Sequence, residues 1–165
     1  MQLSNLLGKK IAIMVASGFD EEAFIAMQRA MMSANAKLRV VSRDAGLTNA
    51  WNGAGWGMSY PVDATLSTAL AVDFDALIVP AGERHIATLS AEAHARRILK
   101  AFTREEMPVL MFGEAETLLH GIEVKAPTLQ GEESIVSEGR LVIASASALN
   151  AGLEALNHAI VDNSE

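Results

Sequence analysis

Residues Pro108 to Leu119, P-V-L-M-F-G-E-A-E-T-L-L, constrain this chain more than any other stretch. Val109, Leu110, Met111 and Phe112 form an unbroken apolar run, which predicts a short strand covered on both faces. Gly113 follows, a residue that accepts backbone conformations other residues resist. Glu114 stands where a helix would begin, and its charge suits the exposed amides there. A strand, an abrupt turn and a helix in this order lift one residue above the carboxyl edge of a sheet. Many α/β enzymes carry their nucleophile at such an elbow. Here that position is glycine, with no side chain to attack anything.

Four more strands are expected, three of them largely apolar and followed by a turn and a helix. Lys10 to Ala16 is apolar after its lysines and is placed centrally in a parallel sheet. Ser17 and Asp20 have the spacing of a capping pair for a helix from Asp20 to Ala34, with Ala23, Phe24, Met27, Ala30 and Met31 turned inward. Lys37 to Ser42 alternates more and is placed nearer an edge. Thr48 to Tyr60, rich in Gly and Trp, reads as a β-hairpin or an irregular excursion. A short helix is expected over Leu66 to Val72 and a buried strand over Asp75 to Pro80. Ala81 to His85 is then a loop, and Ser90 caps a helix to Arg104 with Ala91, Ala95, Ile98 and Phe102 inward. Gly121 ends the elbow helix, and Ile122 to Val136 reads as short strands and turns. Gly139 to Ala144 is a last parallel strand. Asn150 to Val161 is the final helix, with Leu153, Leu156, Ala159 and Ile160 inward. Strands alternating with helices imply one α/β domain with a doubly wound parallel sheet.

Composition narrows the function. Half of the 165 residues are hydrophobic, enough for a sizeable core in one domain. A net charge of −7, with no basic cluster, argues against nucleic acid or an anionic membrane as partner. The absence of cysteine excludes disulfides, thiolate metal sites and thiol nucleophiles. No apolar run is long enough to span a bilayer and no signal-like start is present, so a cytoplasmic protein is expected.

In their combined order, I-A-I-M-V-A-S-G-F-D-E-E, V-D-A-T-L from Val62, D-A-L-I-V-P-A-G from Asp75 and the elbow resemble the ThiJ/PfpI superfamily, the class I glutamine amidotransferase-like group that includes the Parkinsonism-associated DJ-type proteins. The likeness runs from Lys9 to about Val161. It implies a flavodoxin-like, three-layer α/β/α sandwich. Active members carry Cys then His in A-I-C-H-G, with a supporting Glu early in the first helix. On an ungapped match these positions fall on Gly113, Glu114 and Ala23, so cysteine-dependent deglycase, glyoxalase or protease activity is excluded. Gly82 keeps the second glycine after the V-P strand, and an oxyanion-type backbone pocket is expected there.

The chain is also similar to the cysteine-less C-terminal domain of large-subunit haem catalases. That likeness lies at P-V-D-A-T-L, D-A-L-I-V-P-A-G, P-V-L-M-F-G-E and Gln130 to Val136. It carries no implication of haem, since no catalase core accompanies it.

The resemblance implies a homodimer serving as a binding or stress-associated module, with a vestigial pocket formed by Asp20, Glu21, Gly82, Glu83, Arg84 and Gly113. The alternative is a hydrolase, lyase or hydratase acting on a small carbonyl compound, with Glu114 as acid/base and His85 as its partner. The plainer readings are a helix-start carboxylate for Glu114 and a solvated loop histidine or a dimer contact for His85. Arg84 and Glu83 would bind a carboxylate or pair with each other, and capping alone accounts for Asp20 and Glu21. His85, His94, His120 and His158 are too scattered for a helical ligand pair, so neither metal nor cofactor is expected. Ser17 lacks the surroundings of a hydroxyl nucleophile. Gly53, Gly55 and Gly57 form no phosphate fingerprint. Trp51 and Trp56 are expected in an exposed partner patch, over the pocket or in the core.

Overall fold

A computed structural model describes residues 2–124 and 126–163. In chain order the elements are β1 (Lys10–Val15), β2 (Phe19–Asp20), α1 (Glu21–Ser33), β3 (Lys37–Ser42), β4 (Leu47–Trp51), β5 (Trp56–Pro61) and β6 (Ala64–Thr65). A 3-10 turn at Ala71–Asp73 precedes β7 (Ala76–Val79), α2 (Glu83–Ser90), α3 (Ala93–Arg104) and β8 (Val109–Phe112). A 3-10 run over Gly113–Gly121 then leads to β9 (Ile135–Glu138), β10 (Leu141–Ala144) and α4 (Leu149–Asn163).

The main sheet has the order β6-β3-β1-β7-β8-β10-β9. Every pairing in it is parallel except β9 on β10. Successive strand residues point to opposite faces, so the continuous apolar strands feed two cores. Ile11, Ile13, Val15, Ile78, Leu110 and Phe112 pack beneath α1 and α4. Met14, Leu77, Val79, Val109, Met111 and Ile143 pack against α2 and α3 on the other face. This is the doubly wound, flavodoxin-like sandwich expected from the strand pattern, with β1 central and β3 one strand from the edge. Among the described residues, no helix is long and apolar enough to cross a membrane.

Of the two readings for the 48–60 segment, the hairpin holds: β4 and β5 pair antiparallel and join β2 in a small second sheet. Several other local expectations are corrected. No α-helix forms over 66–72, where the only helical turn is the 3-10 turn that starts at Ala71. The hydroxyls of Thr65, Ser67 and Thr68 bond one another, and Thr65 O accepts from Thr68 N and Ala69 N. Such local side-chain bonds compete with helix formation. The segment read as a loop to His85 is a loop only at Ala81 and Gly82, because α2 starts at Glu83 and turns His85, Ile86 and Leu89 inward. Ser90 ends α2 instead of capping α3, whose N-cap is Glu92, accepting from His94 N. Ala91 therefore falls between two helices and is exposed. Asp20 caps α1 by accepting from Ala23 N, but Ser17 Oγ accepts from Asn49 N on the hairpin. The expected elbow helix is a 3-10 run, still ending at Gly121. Within 122–136 the single described strand begins only at Ile135.

Candidate functional site

The sheet order reverses at β1, whose neighbours are β3 on one side and β7 on the other. Ligands of open α/β sheets bind outside the carboxyl ends of strands at such a reversal. The loops leaving β1 and β7 meet there. Asp20 N–H donates to Ala81 O over 3.0 Å. A Cβ on Gly82 would lie 2.7 Å from Gly18 O and 2.9 Å from Phe19 Cα. Gly82 also has φ +143°, so glycine is required on both counts.

The elbow after β8 closes the third side. Gly113 has φ +56°, the left-handed conformation its position predicted. A Cβ there would sit 3.3 Å from Ala81 Cβ and 3.4 Å from Ala146 Cβ. The nucleophile position is thus shaped by backbone but chemically empty. Glu114 is exposed, and its Oε1 accepts a short hydrogen bond from Gly82 N–H. The amide that would form an oxyanion pocket is therefore engaged by the chain's own carboxylate.

His85 lies nearby but is fully buried. Its Nε2 is 2.6 Å from Pro80 O, an acceptor only, so Nε2 carries the proton. Nδ1 accepts from Ala16 N–H at 3.3 Å. Burial pushes its pKa down to about 4, outweighing the opposite pull of Pro80 O and of the Glu114 carboxylate. At neutral pH the ring is uncharged and both nitrogens are occupied, so it joins two strand ends and has no free atom for proton transfer.

Glu21 is drawn away from the cleft. Its Oε2 accepts from Met58 N (2.7 Å) and from the Tyr60 hydroxyl (3.2 Å), holding the hairpin to the start of α1. Gly57 leaves the room for this, since a Cβ there would lie 2.6 Å from Glu21 Oε1. Desolvation, then the bond to Glu21 and its charge, raise the Tyr60 pKa. Tyr60 also packs on Phe24, with ring centroids 4.7 Å apart.

The hairpin brings Trp51 and Trp56 edge to face, 5.4 Å apart, beside the cleft. Arg84 stacks on this wall, its Cζ 4.5 Å from the Trp51 ring centre and 5.8 Å from that of Trp56. It does not pair with Glu83. The resulting cleft, about 560 Å³, has Asp20, Trp51, Gly82, Arg84, Glu114 and Ala146 among its walls. Glu83 lines it too; Glu21 and His85 do not. A groove of about 650 Å³ at the amino ends of β8 and β10 is larger but far from the elbow. Among the described residues, no three His, Asp or Glu side chains are grouped to hold a metal.

Of the residues singled out in the sequence, Asp20, Gly82, Glu83, Arg84 and Glu114 line one cleft and Gly113 lies beside it, next to Ala81 and Ala146. The contact between Arg84 and the Trp51 ring, and Ala146 beside Gly113, have no clear mark in the sequence. The first depends on how the hairpin folds back. For Ala146, the only signal was its place just after the last strand.

An elbow at the carboxyl edge of a flavodoxin-like sheet, with its nucleophile position vacant, defines a class of α/β protein. The chain belongs to the DJ-1/PfpI family, whose profile matches residues 9–133. It is 27% identical over 128 residues to general stress protein 18 of Bacillus subtilis, covering 78% of this chain and 70% of that one. Its fold is similar to that of a ThiJ/PfpI domain protein from Brachyspira murdochii (TM-score 0.80, 18% identity, 94% of this chain and 98% of that one). It is also similar to the oxidized DJ-1 of Toxoplasma gondii (TM-score 0.74, 15% identity, 94% and 97%).

Proposed function

We propose that this protein is a non-catalytic binding module of the DJ-1/PfpI family, working as a cytoplasmic homodimer in a stress-associated role. One observation carries the reading: Glu114 Oε1 holds the Gly82 amide while Gly113 offers no nucleophile. Carbonyl chemistry at such an elbow needs both an attacking group and a free donor for the developing oxyanion. Here one is absent and the other is occupied. The buried, neutral His85 adds no proton carrier. The name of the Bacillus subtilis relative supports the stress association.

The test is a turnover screen on small aldehydes, dicarbonyls and esters, run with wild type and Glu114→Gln. Background rates in both proteins are expected. Wild-type turnover lost on substitution would establish a Glu114-dependent hydrolase, lyase or hydratase instead. Sedimentation velocity tests the dimer, and a monomer at micromolar concentration would refute that part.

A further inference from the structure

The cleft's polar groups are unequally engaged. Asp20 accepts from Ala23 N, and Glu114 Oε1 accepts from Gly82 N. Arg84 has no hydrogen-bond or ion-pair partner among the described residues; its contacts are the two indole rings. The stack orients the guanidinium plane and leaves its five N–H donors facing solvent, without a protein partner, in a fork that matches a carboxylate.

We infer that Arg84 is the anchor of a ligand site for a small hydroxylated monocarboxylate. This deepens the binding-module reading and rests on it. The ligand carboxylate takes the Arg84 fork. Its hydroxyl groups donate to Glu114 Oε2, the oxygen that the Gly82 bond leaves available. The Asn52 side-chain oxygen is turned to its own loop, accepting from Ala54 N and Gly55 N, which leaves its amide N–H₂ as a further donor at the wall.

Charge sets the limit on the ligand. Asp20, Glu22, Glu83 and Glu114 line the same cleft as the single Arg84. A phosphate ester brings roughly −1.5 to −2 charges at neutral pH and is repelled. A monocarboxylate brings one, the smallest charge an anion can carry into this acidic lining, and its direct contact with Arg84 offsets the repulsion. A cleft of about 560 Å³ is of the size that holds small metabolites.

Trp51 and Trp56 are the only tryptophans in the chain, so intrinsic fluorescence reports on the wall that holds Arg84. The experiment titrates sodium glycerate into wild type, Arg84→Gln and Arg84→Lys at constant ionic strength, with ethanolamine and inorganic phosphate as parallel probes. Arg84 is exposed, so neither substitution disturbs the core, and circular dichroism checks this. Saturable change with glycerate is expected in wild type, weakened about tenfold or more in Arg84→Gln. Arg84→Lys stays weakened, because it keeps the charge but loses the planar fork. Equal glycerate affinity in wild type and Arg84→Gln overturns the inference. Saturation by ethanolamine or phosphate in place of glycerate overturns it too, while leaving a binding cleft in place. Saturation by none of the three also overturns it. Turnover in the carbonyl screen, by contrast, bears on the module reading alone.

Discussion

Burial of His85 makes a definite demand on the pH dependence of stability. The folded ring binds a proton only near pH 4, whereas an unfolded histidine does so near 6.5. Above pH 6.5 neither state is charged and the stability of the fold is fully present. As pH falls from 6.5 towards 4, the unfolded chain takes up a proton that the folded chain refuses, and stability is lost. The gap corresponds to about 3 kcal/mol in total, with a slope of at most about 1.4 kcal/mol per pH unit. A loss of that size is a large fraction of a typical domain's stability. The assay is urea unfolding of wild type and His85→Gln at intervals from pH 7 to pH 4. Glutamine offers one acceptor and one donor for Ala16 N and Pro80 O but does not titrate. The variant is expected to lose about 1–2 kcal/mol at pH 7 from imperfect bonds. Carboxylates titrate in both proteins, so the difference between the two curves isolates His85. The wild-type advantage should shrink or reverse by pH 4. Parallel curves would refute the reasoning, because they would mean that the ring is protonated as easily in the folded protein as in the unfolded one.

The two glycines of the site should respond differently. Gly82→Ala drives a Cβ into Gly18 O and Phe19 Cα and should cost more than about 3 kcal/mol. Gly113→Ala meets only two methyl groups at 3.3 and 3.4 Å and should cost about 1–2 kcal/mol, mostly backbone strain; equal losses in urea midpoint would contradict this. Gly152→Ala places a Cβ 2.9 Å from the buried Phe112 ring and should lower the midpoint despite alanine's better helix propensity, a net loss of about 1–2 kcal/mol. Tyr60 is the only tyrosine, so alkaline absorbance titration reads it alone. Its midpoint should lie above 10 and move back towards 10 in Glu21→Gln. Because the folded value is raised, its stabilising effect is present below pH 10 and lost as pH rises beyond; an unmoved midpoint would show that Glu21 does not hold the hydroxyl.

The layered fold was legible because burial on both faces leaves a mark in one strand at a time. Val109 to Phe112 and Ala76 to Val79 are apolar without alternation, and each proves buried at every residue. Helix faces were legible for the same reason: Phe24, Met27, Ala30 and Met31 are the buried stripe of α1. The boundary between α2 and α3 was not, because the inward stripe Ile86 and Leu89 is too short to declare a helix before Ser90 offers a competing cap signal. The positions of Gly82, Gly113 and Glu114 followed from strand ends. Their interaction did not, since Gly82 and Glu114 lie 32 residues apart and meet only through the parallel register of β7 and β8. His85 was misjudged because a histidine among polar neighbours reads as solvated; only the helical turn at Glu83 buries it.

The elbow is internally consistent without a nucleophile. A family cysteine at position 113 would need the same left-handed backbone, and would hold it against strain that function must justify. Glycine holds it with little strain. The next residue then matters more than its neighbour. With no thiolate at 113, a carboxylate at 114 reaches across the crevice and satisfies the Gly82 amide, which a catalytic site would leave ready for an oxyanion. That bond ties the loop after β7 to the elbow after β8, so the carboxylate at 114 braces the mouth of the cleft. At that mouth the stacked Arg84 has no protein hydrogen-bond partner and faces solvent, on a hairpin that Glu21 in turn fastens to α1. The absence of a nucleophile at 113 therefore goes with an ordered, braced cleft. Beside the outer oxygen of Glu114 and the Asn52 amide, the cleft offers a ligand a cation on an aromatic wall, a group suited to recognition.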